Sequence, residues 1–152
     1  MELHQAPTRI SFFPENTNTS LCFDCDYLHP KAQKLIMLKV YGIPTCNTCK
    51  KVLKWLEAQG IPHTFIDIKL TPPPQATIAQ WVKTLGAKPM RNTSGKAYRT
   101  IGPEKQNWTD DQWITAFSKD AMLLKRPLFE RDGTAIKVGF RGTDEELIVT
   151  FS

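Results

Sequence analysis

The sequence predicts one α/β domain in which an N-terminal β-α-β unit and a C-terminal β-β-α unit flank a helical insertion. Three observations carry that expectation. A β-rich run near residue 40 leads directly into an amphipathic helical pattern and a second strand; helical spacing of apolar residues dominates the middle; two strand patterns meet at Asp132-Gly133 ahead of a capped last helix. The length of 152 residues suits a single domain. Hydrophobic residues at 41% and charged residues at 23% exclude wholesale disorder and fibrous repeats. No apolar run approaches the ~18 residues of a membrane span, so no membrane partner is expected. The net charge of +5 leaves room for anionic substrates. It is too small and too scattered to indicate direct nucleic-acid binding.

Residues 1–36 show no helical or strand period and are broken by Pro7, Pro14 and Pro30. They lack the basic cluster, apolar stretch and small-residue cleavage site of a secretory signal. They read as a poorly ordered extension, with Met37 standing immediately before the first strand as an alternative start. The segment holds Arg9, Lys31 and Lys34 against Glu2, Glu15, Asp24 and Asp26, so the basic excess belongs to the domain over 37–152.

Met37 to Ile43 alternates and is rich in β-formers, a first strand. Pro44-Thr-Cys-Asn-Thr-Cys49 follows, then a helix to about Gln59. Val52, Leu53, Trp55 and Leu56 supply its apolar face, Lys50, Lys51 and Lys54 its wet face, and Gly60 its stop. His63 to Ile68 is a second strand, expected parallel to the first through a right-handed crossover. Thr71-Pro-Pro-Pro74 is a stiff connector. Ile78, Trp81, Val82 and Leu85 recur at helical spacing, whereas 87–107 reads as irregular. Thr109 with Gln112 forms a capping box for a helix burying Trp113, Ile114 and Phe117. Pro127 to Glu130, the turn at Asp132-Gly133 and Ala135 to Phe140 form a hairpin. Thr143 with Glu146 caps a short final helix.

This order, with Cys46-x-x-Cys49 at the first strand-to-helix junction, describes a thioredoxin-like layout. A thiol at a helix start meets unpaired backbone N–H groups and the positive end of the helix dipole, which favour the thiolate. Lys50 and Lys51 are expected to add positive potential. Cys46 is therefore expected to be the exposed nucleophile, and Cys49, one turn on, the thiol that resolves its product as a disulfide. A transient disulfide of this kind suits a reducing cytoplasm.

Cys22-Phe-Asp-Cys25 lies ahead of Cys46-Asn-Thr-Cys49 at a spacing that a four-cysteine zinc ribbon would also show. Structural zinc pairs sit on tight turns, whereas the second pair here opens an amphipathic helix. No metal is therefore assigned, and Cys22 and Cys25 are left without a role. Lys125-Arg126-Pro127 supplies a cation beside a strand-initiating proline; such a proline near a thiol site is often cis. The Arg126 guanidinium is suited to hold an oxyanion or steady a thiolate. Arg91 and Arg99, in the polar stretch 89–99, are weaker candidates of the same type.

Val40 to Lys51, the Thr-Pro-Pro linker, Trp108-Thr-Asp-Asp111, Leu124-Lys-Arg-Pro-Leu128 and Lys137-Val-Gly-Phe140 together resemble the family of glutaredoxin-coupled arsenate reductases, YffB and Spx regulators. The resemblance covers 37–152. It implies a thioredoxin fold interrupted by a helical insertion, a nucleophile at Cys46 and an anion-binding arginine at Arg126. Arsenate reductases of this type look like one-cysteine enzymes that rely on glutathione, whereas Cys49 resembles the two-cysteine motif of Spx. Of their three oxyanion arginines, Arg126 matches one and Arg91 a second. The third would fall near Val138-Gly139, where no arginine stands, which argues against arsenate as the substrate. The stretches 92–101 and 138–140 look closer to YffB.

The function expected is that of a monomeric thiol oxidoreductase without a bound cofactor, re-reduced by glutathione, glutaredoxin or thioredoxin. The alternative is an Spx-like redox regulator that binds the RNA polymerase α subunit.

Overall fold

The structure, a computed structural model, describes residues 37–152. The extension 1–36, with Cys22 and Cys25, lies outside the described residues. In chain order the elements are β1 (Leu38–Gly42), α1 (Asn47–Ala58), β2 (His63–Asp67), α2 (Gln75–Leu85), α3 (Ala87–Met90), α4 (Lys96–Thr100), a 3-10 turn (Pro103–Asn107), α5 (Asp110–Lys119), a second 3-10 turn (Ala121–Leu123), β3 (Leu128–Arg131), β4 (Thr134–Val138) and α6 (Asp144–Phe151).

Four strands form one sheet in the order β2-β1-β3-β4. β2 lies parallel to β1, with Leu38 opposite His63 and Gly42 opposite Asp67. β3 runs antiparallel on the other side of β1, and β4 antiparallel to β3. Strand alternation sorts the core into two layers. Leu38, Val40 and Phe129 pack with Val52 and Leu56 of α1 and Leu147 and Phe151 of α6. Tyr41, Leu128 and Ala135 pack instead with Ile78, Trp81 and Val82 of α2 and Trp113 and Phe117 of α5. The insertion thus supplies the second layer that the sheet needs, in a thioredoxin-like arrangement.

Local chemistry explains the boundaries. Both capping boxes are formed, Thr109 with Gln112 and Thr143 with Glu146. Asp132 (φ 50°) and Gly133 (φ 79°) occupy the left-handed region that a two-residue hairpin requires. The last strand stops at Val138 rather than continuing to Phe140. Gly139 turns the chain with φ 79°, and its N–H donates to the Pro127 carbonyl at 2.7 Å.

The stretch 87–107, expected to be irregular, folds into α3, α4 and a 3-10 turn. Each of these is too short to show a 3.6-residue period. Side chains hold them instead: Met90 is fully buried, and Tyr98 stacks on Trp113 at 5.9 Å with planes 9° apart. The Lys105 ammonium lies over Tyr98 and donates to the Ile101 carbonyl at 2.7 Å. Among the described residues no helix is long and apolar enough to cross a membrane.

Candidate active site

β1 delivers the chain to Ile43, and Pro44-Thr45 turn it so that Cys46 becomes the N-cap of α1. The Cys46 N–H donates back to the Ile43 carbonyl at 3.1 Å, and its own carbonyl accepts from Lys50 at 3.0 Å. No side chain caps this helix, so the first-turn N–H groups are free to meet the sulfur. Partial burial works against ionisation of Cys46. The N–H of Cys49, the Cys49 thiol, the N–H of Thr48 and the Arg126 guanidinium outweigh it and hold the pKa below the ordinary thiol range.

Cys49 lies one turn further on and is fully buried. Burial pushes its pKa up to about 11, and the adjacent Cys46 sulfur adds to the rise against the opposing pull of Ile43 backbone and Arg126. Both cysteines are free thiols. The site therefore holds one half-exposed thiol tuned toward the thiolate above a second thiol kept protonated.

The space for Cys49 comes from a glycine. A Cβ at Gly42 would stand 2.5 Å from Cys49 Sγ and 3.1 Å from the Phe65 ring. Sequence reasoning did not single out Gly42; its place at the end of β1, seven residues before a CxxC cysteine, was the available signal.

Arg126 is half-buried, and its peptide bond to Pro127 is cis. It is the charged residue that acts on both Cys46 and Cys49. Its Nη1 donates to Met122 Sδ at 3.2 Å, and it opens on a cleft of about 370 Å³ that Lys96, Asp120 and Met122 also line. Lys50 and Lys51, expected to raise the potential at Cys46, stand exposed on the solvent side of α1; the guanidinium takes that part.

Arg91 is held differently. Its backbone forms an isolated bridge with Leu124, flanked by Asn92 N–H to the Leu123 carbonyl (2.8 Å) and Lys125 N–H to the Met90 carbonyl (2.7 Å). Its guanidinium carbon lies 4.3 Å from the centroid of Trp113. The structure thus gathers Cys46, Cys49 and Arg126 around the start of α1 and sets the Arg91 side chain on the aromatic core. Arg99 is exposed on α4. Among the described residues no three His, Cys, Asp or Glu side chains cluster to hold a metal ion.

A second polar centre lies on the α2 side of the sheet. Glu130, 2% exposed, accepts from Lys39 Nζ at 2.9 Å, Tyr41 hydroxyl at 3.1 Å and Trp81 Nε1 at 3.0 Å. It ties β3 and β1 to α2 of the insertion.

The family model described as the ArsC family matches residues 41–147. The uncharacterized protein YusI of Bacillus subtilis is 36% identical over 108 residues, covering 68% of this chain and 91% of YusI. A protein named global transcriptional regulator Spx 2 of Lactococcus lactis is 24% identical and covers 73% of this chain and 83% of its own length. The crystal structure named "a possible arsenate reductase" from Streptococcus mutans superposes with a TM-score of 0.68 at 32% identity, covering 74% of this chain and 98% of that one. With more than half of its residues matched by the family model, the chain belongs to the ArsC family.

Proposed function

We propose that the protein is a thiol-disulfide oxidoreductase in which Cys46 attacks, Cys49 resolves and Arg126 holds the anionic group of the substrate. The observation that carries this reading is the opposite tuning of two neighbouring thiols, one favoured as thiolate at a helix start and one buried and protonated beneath it. Such a pair makes the first thiol the attacker and keeps the second in reserve until the mixed disulfide forms.

The chemistry balances with a substrate disulfide. The Cys46 thiolate attacks one sulfur, a Cys46–substrate bond forms, and the other half leaves as a thiolate. Cys49 gives its proton to that leaving thiolate and attacks the Cys46 sulfur. The second substrate thiolate departs, and a Cys46–Cys49 disulfide remains. Two electrons have passed to the substrate. Two glutathione thiols, or the dithiol of a glutaredoxin or thioredoxin, return them and become a disulfide.

Relatives named global transcriptional regulator Spx favour a second reading, in which the same disulfide switches binding to the RNA polymerase α subunit. Incubating the reduced protein with glutathione and either arsenate or a glutathionylated peptide, and in parallel with the C-terminal domain of polymerase α, separates the two. Turnover abolished by Cys46→Ser, without a complex, supports the oxidoreductase. A complex that forms or dissolves with the Cys46–Cys49 disulfide, without turnover, supports the regulator.

A further inference from the structure

Met122 stands between the insertion and the thiol site with its backbone clamped on both sides. Its N–H donates to Asp120 Oδ1 at 2.8 Å, and its carbonyl accepts from Asn92 Nδ2 at 3.2 Å. The clamp presents Sδ to Arg126 Nη1 at 3.2 Å. Among the described residues Arg126 pairs with no carboxylate, so a thioether, which is a weak acceptor, is what receives this guanidinium hydrogen bond. A weak acceptor orients the guanidinium and gives way when an anion arrives. Met122 is half-exposed and lines the open cleft beside Arg126, so small oxidants reach it.

We propose that Met122 is the positioning residue for Arg126 and a site of sulfoxidation, through which a peroxide turns the weak acceptor into a strong one and holds the guanidinium at Met122, so that it yields less readily to the thiolate or to an arriving anion. The step is a two-electron oxygen transfer: the thioether sulfur takes one oxygen from hydrogen peroxide, water leaves, and methionine sulfoxide remains, which methionine sulfoxide reductases reverse. The sulfoxide oxygen accepts far more strongly than the sulfur it replaces. Arg126 held there supports the Cys46 thiolate less, so oxidation slows the nucleophile. The other charged groups along the cleft are Lys96 and Asp120, with Lys125 next to Arg126 in the chain; none is placed to replace the guanidinium at both thiols. The inference rests on the reading that Arg126 serves the Cys46 thiolate.

The test uses the full chain carrying Cys22→Ser and Cys25→Ser, with Cys46 and Cys49 protected as their disulfide during peroxide treatment. Dithiothreitol then restores both thiols and leaves sulfoxides in place. Mass spectrometry locates the added oxygen, with exposed Met37 as the internal positive control and buried Met90 as the negative one. The readout is the iodoacetamide rate of Cys46 across pH. Expected is a profile displaced to higher pH in the same direction as Arg126→Ala displaces it and by no more than that, because Arg126 is one of several groups that favour the thiolate. Met122→Leu is expected to lose the peroxide effect, Met122→Gln to reproduce it without peroxide, and Arg126→Ala to be insensitive. Met122 left unoxidised while Met37 reacts overturns the proposal, as does a profile unmoved by Met122 sulfoxide or the same displacement in Met122→Leu. An ordinary thiol profile before any peroxide would instead defeat the underlying reading of the site.

Discussion

Replacing Glu130 with alanine is expected to be among the most damaging single changes in the domain, because three donors converge on one buried carboxylate. Trp81 is fully buried and Tyr41 nearly so, so each would be left with a polar hydrogen and no acceptor. Each such orphan costs about 1–3 kcal/mol. Lys39 is 45% exposed and turns to water, so its loss adds little. The missing side-chain volume adds a small cavity term. The sum is about 3–5 kcal/mol, the range seen when one partner of a buried polar network is removed. Urea unfolding followed by tryptophan fluorescence reads this as a midpoint lower by about 2–3 M for a slope of about 1.5 kcal/mol per M. Glu130→Gln, which keeps one carbonyl acceptor, is expected to lose about half as much. A loss below about 1 kcal/mol in Glu130→Ala would mean that the indole and hydroxyl had found other acceptors and that Glu130 is not the hub of this network.

Other outcomes follow from the same geometry. Burial, reinforced by the Glu130 carboxylate, holds the Tyr41 hydroxyl protonated far above its usual range. Its contribution to stability is therefore complete below pH ~10, where the unfolded tyrosine titrates, and is lost as pH rises beyond that value. Tyr41→Phe should flatten this alkaline limb in urea titrations; an unchanged slope would contradict it. Gly42→Ala forces Cys49 Sγ to move from a contact of 2.5 Å, so closure of the Cys46–Cys49 disulfide should slow while Cys46 alkylation persists. Equal closure rates would show the crowding to be harmless. Arg126→Ala should slow Cys46 alkylation and weaken anion binding more than Arg99→Ala, since Arg126 faces both thiols and Arg99 faces solvent. In Cys46→Ser, Cys49 should still label slowly at neutral pH because it is buried, yet accelerate at lower pH than in the parent protein, where the Cys46 sulfur adds to the rise.

What could be read from the sequence were features written in adjacent residues. The Cys46-x-x-Cys49 pair after a β-rich run, the Thr109–Gln112 and Thr143–Glu146 capping boxes and the Asp132-Gly133 turn each carry their own local signal. Features that depend on distant partners did not show. Glu130 looks like an ordinary strand carboxylate until Trp81 and Lys39 meet it, and Gly42 looks like a strand end until Cys49 fills the space beside it. The arginines divide the same way. Arg126 is flagged in the sequence by its own neighbour Pro127, whereas the fate of Arg91 is decided by Trp113, which lies in α5. The short helices of 87–107 are set by Met90 and Tyr98 docking on the α5 layer rather than by periodicity.

The most direct measurement of the central claim is the iodoacetamide rate of Cys46 against pH in the reduced protein, with labelled peptides assigned by mass spectrometry. A midpoint below the free-cysteine value of ~8.5 is expected, with Cys46 labelled well before Cys49. A midpoint at or above that value, or Cys49 labelled first, would contradict it.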